Sequence, residues 1–198
     1  MAGSSQLVKE LRERTGAGIL DCQKALTENN DDIEKAVDFL RQKGLAAALK
    51  KSGRETNQGL IHAYIHMGGK IGVLIEVNCE TDFVARNEAF SHLAREIAQH
   101  VAAADPIGVN PEDVPADLVE RERRIAEEQV AAEKKPEQIR AKIVDGKIKK
   151  FVAERTLLEQ PFVKNDKITV GELIKEASAK LGETISVRRF ARFQVGAA

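Results

Sequence analysis

The chain of 198 residues has few aromatic side chains and no surplus of charge of either sign. It contains no tryptophan and only 4% aromatic residues, so it offers few rings on which nucleic-acid bases could stack. Its 31 Lys and Arg residues balance 31 Asp and Glu residues, and this balance removes the positive surplus that binding to phosphate backbones or anionic lipid requires. We therefore expect a partner that is neither nucleic acid nor membrane.

Cysteines and long apolar runs are also scarce. Cys22 and Cys79 lie far apart without companion cysteines at metal-ligand spacing, so we expect two free thiols in a reducing compartment. No stretch approaches the roughly 18 apolar residues of a membrane span, and the N-terminus lacks the apolar core of a signal peptide. The predicted localisation is cytoplasmic.

Sequence motifs of catalysis are missing as well. There is no glycine-rich phosphate loop after a strand, no G-x-S-x-G and no zinc-ligand spacing. His62 and His66 are four residues apart on one predicted strand, about 13 Å from each other, which is too far for a shared metal. Cys79 has no neighbouring base to activate its thiol. We predict a protein that is not an enzyme and has no cofactor or metal of its own.

The first part of the chain predicts three short helices. Gly16 and Gly18 break the first helix from the second. Asp31 and Glu34 form a capping-box pattern at the start of the third helix, and we expect Gly44 to end it. Three helices in so few residues make a small core, which is typical of a docking module.

The next segment predicts a β-hairpin. Apolar residues alternate with polar ones at 61–67 and again at 71–77. A two-residue turn, Gly68–Gly69, would put the two apolar rows on opposite faces, whereas a three-residue loop pairs Met67 with Ile71 and puts both rows on one face. We favour the three-residue loop.

The remainder of the chain predicts helices and one returning strand. Residues 112–133 and the segment after Pro136 predict a charged helical pair, bent or interrupted at Gly146, that acts as a spacer or dimerisation arm. Thr169 with Glu172 predicts another helix start.

The last strand alternates apolar residues on one face over 185–195, and Arg189 breaks that row, which predicts a bulge or an edge position. The fold class is therefore α+β, with a three-stranded antiparallel sheet and packed helices in the body. The predicted domains are a three-helix docking domain, a linker and an α+β core: residues 1–45, 46–58 and 59–198.

One polar turn stands out between the hairpin and the following helix. The segment NCETDFVARNE at 78–88 contains the four residues that we call the TDFV turn: Thr81, Asp82, Phe83 and Val84. Phe83 could tuck under the next helix while Asp82 caps the turn. Alternatively, Phe83 could be an exposed aromatic anchor beside a carboxylate, a common composition of interface hot spots. The residues alone leave both interpretations open.

Three segments resemble the elongation factor Ts family: NCETDFVARNEAF, RTGAGILDCQKAL and LLEQPFVKND. The resemblance runs in order over almost the whole chain. It implies a ubiquitin-associated-like head that docks on the GTPase domain of elongation factor Tu. It also implies that the TDFV turn reaches the nucleotide site, where Asp82 and Phe83 act near the partner's magnesium and Phe83 enters a pocket between partner helices. The head residues that we assign to the contact are Arg12, Gly16, Gly18 and Ile19.

Two other functions compete with nucleotide exchange. A three-helix head alone is compatible with a ubiquitin-binding adaptor, which leaves the body unexplained. Arg188, Arg189 and Arg192 on the last strand favour an RNA-binding ribosome factor, and the balanced net charge argues against it.

The resemblance also bears on assembly. Longer family members have a second core repeat that this chain lacks. The three-stranded sheet leaves two edges and an incompletely covered face, and the last strand carries Phe190 and Phe193 on opposite faces. We therefore expect a homodimer that pairs two cores about a two-fold axis.

Overall fold

The computed structural model describes residues 5–51, 54–131 and 136–197, which form an α+β fold. Part of the predicted linker, Ser52 and Gly53, lies outside these residues. The helices are α1 (Ser5–Thr15), α2 (Ile19–Glu28), α3 (Ile33–Lys51), α4 (Asp82–Ala85), α5 (Glu88–Ala104), α6 (Ala116–Ala131), α7 (Glu137–Arg155) and α8 (Val170–Leu181). The strands are β1 (Gln58–Ile65), β2 (Ile71–Cys79), β3 (Pro161–Phe162), β4 (Asn165–Thr169) and β5 (Ser186–Gln194). None of the helices in these ranges is both long and apolar enough to cross a membrane.

Contacts along the backbone group the chain into two compact units. The first unit contains the N-terminal helices, the TDFV turn and the C-terminal part of α8, and the second contains most of the remaining chain. The first unit comprises Met1–Gly59, Asn78–Phe90 and Ile174–Ser186; the second comprises Leu60–Val77, Ser91–Leu173 and Val187–Ala198. The division into an independent docking domain, a linker and a core stays a prediction.

The three predicted N-terminal helices share one core. Gly16 has a φ of 68° directly after α1, in the left-handed region that glycine reaches without strain, so the predicted helix break there is confirmed. The predicted cap of α3 is wrong by one residue, because the Asp32 carboxylate accepts the Lys35 backbone N–H at 3.1 Å whereas Asp31 has a φ of 60°. The buried side chains of this core are Val8, Leu11, Cys22, Ala25, Leu26, Ala36 and Leu40.

Gly44 does not end α3, contrary to the prediction, because the helix continues to Lys51. A Cβ atom at Gly44 would lie 2.9 Å from the Cβ of Ala179 in α8. The glycine therefore allows α3 and α8 to approach closely within the first unit. The Arg41 guanidinium also pairs with the Glu176 carboxylate of α8 at 2.8 Å.

The main sheet is antiparallel with strand order β1-β2-β5, so the predicted three-stranded sheet is confirmed. The predicted hairpin register is wrong. The His66 backbone N–H donates to the Ile71 carbonyl at 2.9 Å, and a Cβ at Gly72 would meet Ile65 Cδ1 at 3.1 Å. This register puts the two apolar rows on opposite faces, as the rejected two-residue turn would have done.

Burial follows the observed register. Val73, Ile75 and Val77 of β2 are buried, whereas Ile61 and Ile65 of β1 are exposed. The alternation failed as a guide because it predicts which residues share a face and does not say which face is covered.

β5 is an edge strand, as predicted for the position of Arg189. Its apolar residues differ in burial, however, because Val187 is buried while Phe193 and Val195 are exposed. Arg189 bonds to the Glu76 carboxylate at 2.7 Å instead of packing in an apolar row.

The predicted helical pair is formed by α6 and α7, which pack together around Ala126, Val130, Val144 and Ile148. Gly146 does not interrupt α7, which is continuous through it. The capping box of Thr169 and Glu172 is confirmed by two reciprocal backbone-to-side-chain hydrogen bonds of 2.9 and 3.1 Å. The short sheet of β3 and β4 was not predicted.

Candidate functional site

The TDFV turn follows β2, and its last three residues begin the single helical turn α4. Phe83 is 80% exposed, which excludes the interpretation that it tucks under the next helix. Val84 is 6% exposed, and its buried side chain anchors the turn. The turn therefore presents one large aromatic ring to solvent from a backbone that is fixed at the neighbouring residue.

Thr81 begins α4 as its N-cap. It has extended backbone angles, φ −125° and ψ 156°, and its hydroxyl accepts the Val84 backbone N–H at 3.4 Å. The Cys79 thiol, which is buried, donates to the Thr81 carbonyl at 3.1 Å. Burial raises the pKa of the Cys79 thiol, so at neutral pH it is a protonated hydrogen-bond donor rather than a nucleophile.

The Glu183 carboxylate holds the backbone that leads into the turn. Its Oε2 accepts the backbone N–H groups of Glu80 at 3.1 Å and of Thr81 at 3.0 Å. Its Oε1 accepts the Thr81 hydroxyl at 2.5 Å. One carboxylate thus receives three hydrogen bonds from two consecutive residues more than a hundred positions away in the chain.

Glu80 in turn binds the segment that carries Glu183. Its Oε1 accepts the Thr184 backbone N–H at 2.7 Å, and its Oε2 accepts the Arg54 guanidinium at 3.2 Å. The hydrogen bond from Thr184 is the main reason that the pKa of the Glu80 carboxyl lies below its ordinary value. Because Glu80 and Glu183 each bind the backbone beside the other, the two segments are tied together in both directions.

The charged residue of the turn points outward. The Asp82 carboxylate is 3.2 Å from the Arg86 guanidinium, and both side chains are mostly exposed. Such exposed pairs contribute little to stability, so Asp82 is available to a partner. In the part of the chain that the structure describes, no three His, Cys, Asp or Glu side chains gather in a geometry that could hold a metal ion.

The head residues lie around the first interhelical turn. Arg12 and Ile19 line the same groove of about 520 Å³, together with Val8, Lys9, Glu13 and Gln23. Ile19 is 51% exposed and its neighbour Leu20 is 81% exposed. Gly16 and Gly18 form the turn between α1 and α2 and so place these apolar side chains at the start of α2.

A second apolar surface lies on the main sheet. We call it the open sheet face; it consists of Ile61, Ala63, Ile65, Leu74, Phe193 and Val195. Phe193 is 66% exposed and Val195 is 72% exposed, so this face presents several apolar side chains to solvent. Part of this face lines a groove of about 380 Å³.

The LLEQPFVKND segment is held by a buried histidine. His100 of α5 is 0% exposed, and its Nδ1 accepts the Val163 backbone N–H at 3.2 Å. Its Nε2 lies 2.8 Å from Gln160 Oε1, an acceptor, so Nε2 carries the proton. Burial lowers the pKa of His100, and the ring is therefore neutral.

The structure brings together the residues predicted for each region, but Glu80 and Glu183 were missed. The predicted residues of the TDFV turn are consecutive, and Arg12 and Ile19 share the groove of the head. Nothing in the sequence marks Glu183 as a partner of Thr81, because it is an ordinary acidic residue just after the end of a helix. Leu20 could have been selected, since it flanks Ile19 outside the buried stripe of α2.

Comparison with known proteins agrees with the resemblance of these segments. The model of the elongation factor TS family matches residues 22–197. Elongation factor Ts of Desulfosudis oleivorans is 60% identical over 193 residues, which cover 98% of each chain. Elongation factor Ts of Desulfotalea psychrophila is 57% identical over 197 residues, which cover 100% of each chain. That of Carboxydothermus hydrogenoformans is 56% identical over 98% of this chain and 89% of its own. The chain belongs to the elongation factor Ts family.

Proposed function

We propose that this chain is the guanine-nucleotide exchange factor of elongation factor Tu and acts in the cytoplasm during translation elongation. It accelerates release of GDP and so allows GTP to bind. It makes and breaks no covalent bond, and it requires no cofactor. Membership in the elongation factor Ts family supports this function.

The observation that carries the mechanism is the exposure of Phe83 on a held turn. The Phe83 ring is 80% exposed, so it fills no pocket in the free protein and can serve as an anchor in a pocket of a partner. In the proposed complex, Phe83 enters a pocket between helices of elongation factor Tu, and Asp82 disturbs the coordination of the partner's magnesium. Thr81 and Val84 fix the turn that presents these two side chains.

The proposed effect on the nucleotide follows from linkage. A factor that binds nucleotide-free elongation factor Tu more tightly than the nucleotide-bound form must weaken nucleotide affinity by the same ratio. Contacts that can form only when magnesium and the phosphate-binding elements are displaced provide that difference. The TDFV turn therefore needs to be rigid, because a turn that reorganises on binding would spend part of the interaction energy on its own ordering.

The head supplies a separate docking contact in this proposal. Arg12 and Ile19, with the turn of Gly16 and Gly18, form the surface that binds the GTPase domain. The exposed apolar side chains at the start of α2 support this assignment, because a docking patch combines apolar centre and charged rim. The head would then supply binding affinity, and the TDFV turn would displace the nucleotide.

Release of fluorescently labelled GDP from purified elongation factor Tu tests the function. Addition of the unmodified chain should accelerate release in proportion to its concentration until saturation. Two other outcomes would refute the proposal: no acceleration, or equal acceleration of GDP release from an unrelated GTPase. A pull-down with ubiquitin and a salt titration of RNA binding test the two alternative functions, and we expect both to be negative.

We further propose that two copies of the chain form a homodimer through the open sheet face. Its apolar residues come from β1, β2, β5 and the residue after β5, and they lie on the face opposite the buried Val73 and Ile75. A second copy related by a two-fold axis would cover this face with an identical one, which is the commonest arrangement of soluble homodimers. The active species would then be two exchange factors with two partners.

A further inference from the structure

We propose that Glu183 is a positioning residue for the TDFV turn: its carboxylate holds the turn in the shape that presents Phe83 and Asp82. The proposal rests on the exchange function proposed above and extends it to a residue outside the turn. It concerns the free chain as well as the complex, because the contacts are already present without a partner.

The turn needs an external support. α4 has four residues, and a single helical turn is not stable by itself because its nucleus fixes many dihedral angles for few hydrogen bonds. Phe83 gives no anchorage since its ring is exposed, and the Asp82–Arg86 pair lies in solvent. Support therefore has to come from the backbone at Glu80 and Thr81 and from Val84 below.

Glu183 provides that support at the point where β2 passes into α4. It accepts both backbone N–H groups of Glu80 and Thr81 and the Thr81 hydroxyl, all within 3.1 Å. The same hydroxyl accepts the Val84 N–H, so the contact fixes the N-cap that begins α4. A change in the Thr81 side-chain rotamer would break the hydrogen bonds of its hydroxyl to Glu183 and to Val84 together.

The position of Glu183 is itself fixed. Gly182 has a φ of 77° and its N–H donates to the Ser178 carbonyl at 2.9 Å, which ends α8 in a left-handed cap. Ser178 Oγ accepts the Ile185 N–H at 3.1 Å, and Glu80 accepts the Thr184 N–H. The segment that carries Glu183 is thus bound on both sides and can act as a fixed support.

The first experiment compares two substitutions of Glu183. Glu183→Ala removes every acceptor, whereas Glu183→Gln keeps an amide oxygen for the two N–H groups. We expect Glu183→Ala to lower the maximal rate of labelled GDP release from elongation factor Tu about tenfold, with Glu183→Gln within about threefold of the unmodified chain. The concentration of factor that gives half-maximal release should change much less, since the head is intact. Glu120→Ala, which removes an exposed carboxylate of α6, should have no effect.

The second readout is amide hydrogen exchange of Thr81 in the free chain. It should accelerate in Glu183→Ala and not in Glu120→Ala, while the unfolding midpoint reports whether the fold is retained. If Glu183→Ala does not fold, GDP release by Thr81→Val and Thr81→Ser tests the proposal. Only valine lacks the hydroxyl that donates a hydrogen bond to Glu183. We therefore expect Thr81→Val to slow GDP release and Thr81→Ser to preserve it.

Three results would overturn the proposal. One is a folded Glu183→Ala protein with a faster-exchanging Thr81 amide and unchanged GDP release. Another is equal impairment by the Ala and Gln substitutions. The third, after misfolding of Glu183→Ala, is equal GDP release by Thr81→Val and Thr81→Ser. Failure of the exchange function itself looks different, because the unmodified chain would then not accelerate GDP release at all.

Discussion

At the scale of single residues, buried polar side chains determine how the chain responds to pH. His100 is fully buried, its two ring nitrogens are hydrogen-bonded, and its pKa lies below the ordinary 6.5 because burial disfavours the charged form. Burial and the nearby charge of Arg95 also lower the pKa of His62. Both residues are neutral in the folded chain at physiological pH.

This burial predicts loss of stability in mild acid. Between the folded pKa of His100 and 6.5 the unfolded chain binds more protons, so the free energy of unfolding decreases as pH falls through this range. We expect the difference between pH 7.5 and 5.5, measured by urea unfolding, to be smaller in His100→Gln by up to about 1 kcal/mol. An unchanged slope in His100→Gln would contradict this account.

The head can be tested by a single exposed residue. Ile19 is 51% exposed, so Ile19→Ser should leave the free energy of unfolding nearly unchanged. If the head serves docking, the factor concentration for half-maximal GDP release should rise about tenfold while the maximal rate is preserved. Val163→Ser, at a residue that is 49% exposed in the second unit, is the matched control. A lowered maximal rate with unchanged half-maximal concentration would argue against docking through α2.

At the scale of secondary-structure elements, local chemistry predicted boundaries to within a residue where the cause was local. Gly16 breaks α1 from α2, and Thr169 with Glu172 begins α8, because a left-handed glycine and a capping box act within a few residues. Gly44 misled the prediction because its role depends on Ala179, a residue distant in the chain. The hairpin register was also predicted wrongly. An isolated chain is not expected to expose an apolar sheet face, so the prediction put both apolar rows on one face.

The residues of the candidate site also divide into those that local sequence predicts and those that depend on the tertiary fold. The TDFV turn was predicted from consecutive residues and from their resemblance to a known family. Glu183 was not predicted, because its three hydrogen bonds join segments that only the tertiary fold brings together. A sequence can show which residues a turn exposes, but not which distant carboxylate holds it.

Two glycines within helices should respond oppositely to the same substitution. A Cβ at Gly44 would lie 2.9 Å from Ala179, so Gly44→Ala should destabilise the chain by about 1–3 kcal/mol despite the better helix propensity of alanine. At Gly146 a Cβ would meet no atom within 4 Å, and Gly146→Ala should stabilise by about 0.5–1 kcal/mol. Urea unfolding measures both values. An increase in stability from Gly44→Ala would show that α3 and α8 do not pack closely at this point.

At the scale of the whole molecule, the open sheet face predicts the state of assembly. Light scattering at micromolar concentration should give a mass twice the 21.8 kDa of one chain. The double substitution Ile65→Ser and Phe193→Ser should shift the mass to that of one chain, because it places polar groups in the centre of the proposed interface. Leu20→Ser, at an apolar residue of the head that is 81% exposed, should leave the mass unchanged. A single-chain mass for the unmodified protein with full exchange activity would exclude the dimer.

We propose that Phe83 displaces nucleotide by filling a pocket in elongation factor Tu. Phe83→Ala should retain the fold, since the ring is 80% exposed, and should weaken the complex with nucleotide-free elongation factor Tu by about 2 kcal/mol, roughly thirtyfold. Ile139→Ala, at a residue of α7 that is 47% exposed, should change neither property.

The most direct measurement is stopped-flow release of fluorescent GDP from elongation factor Tu at saturating concentrations of the unmodified chain, Phe83→Ala and Ile139→Ala. If Phe83 displaces nucleotide, the maximal release rate should fall at least about tenfold in Phe83→Ala alone. A folded Phe83→Ala protein that releases GDP as fast as the unmodified chain would contradict it.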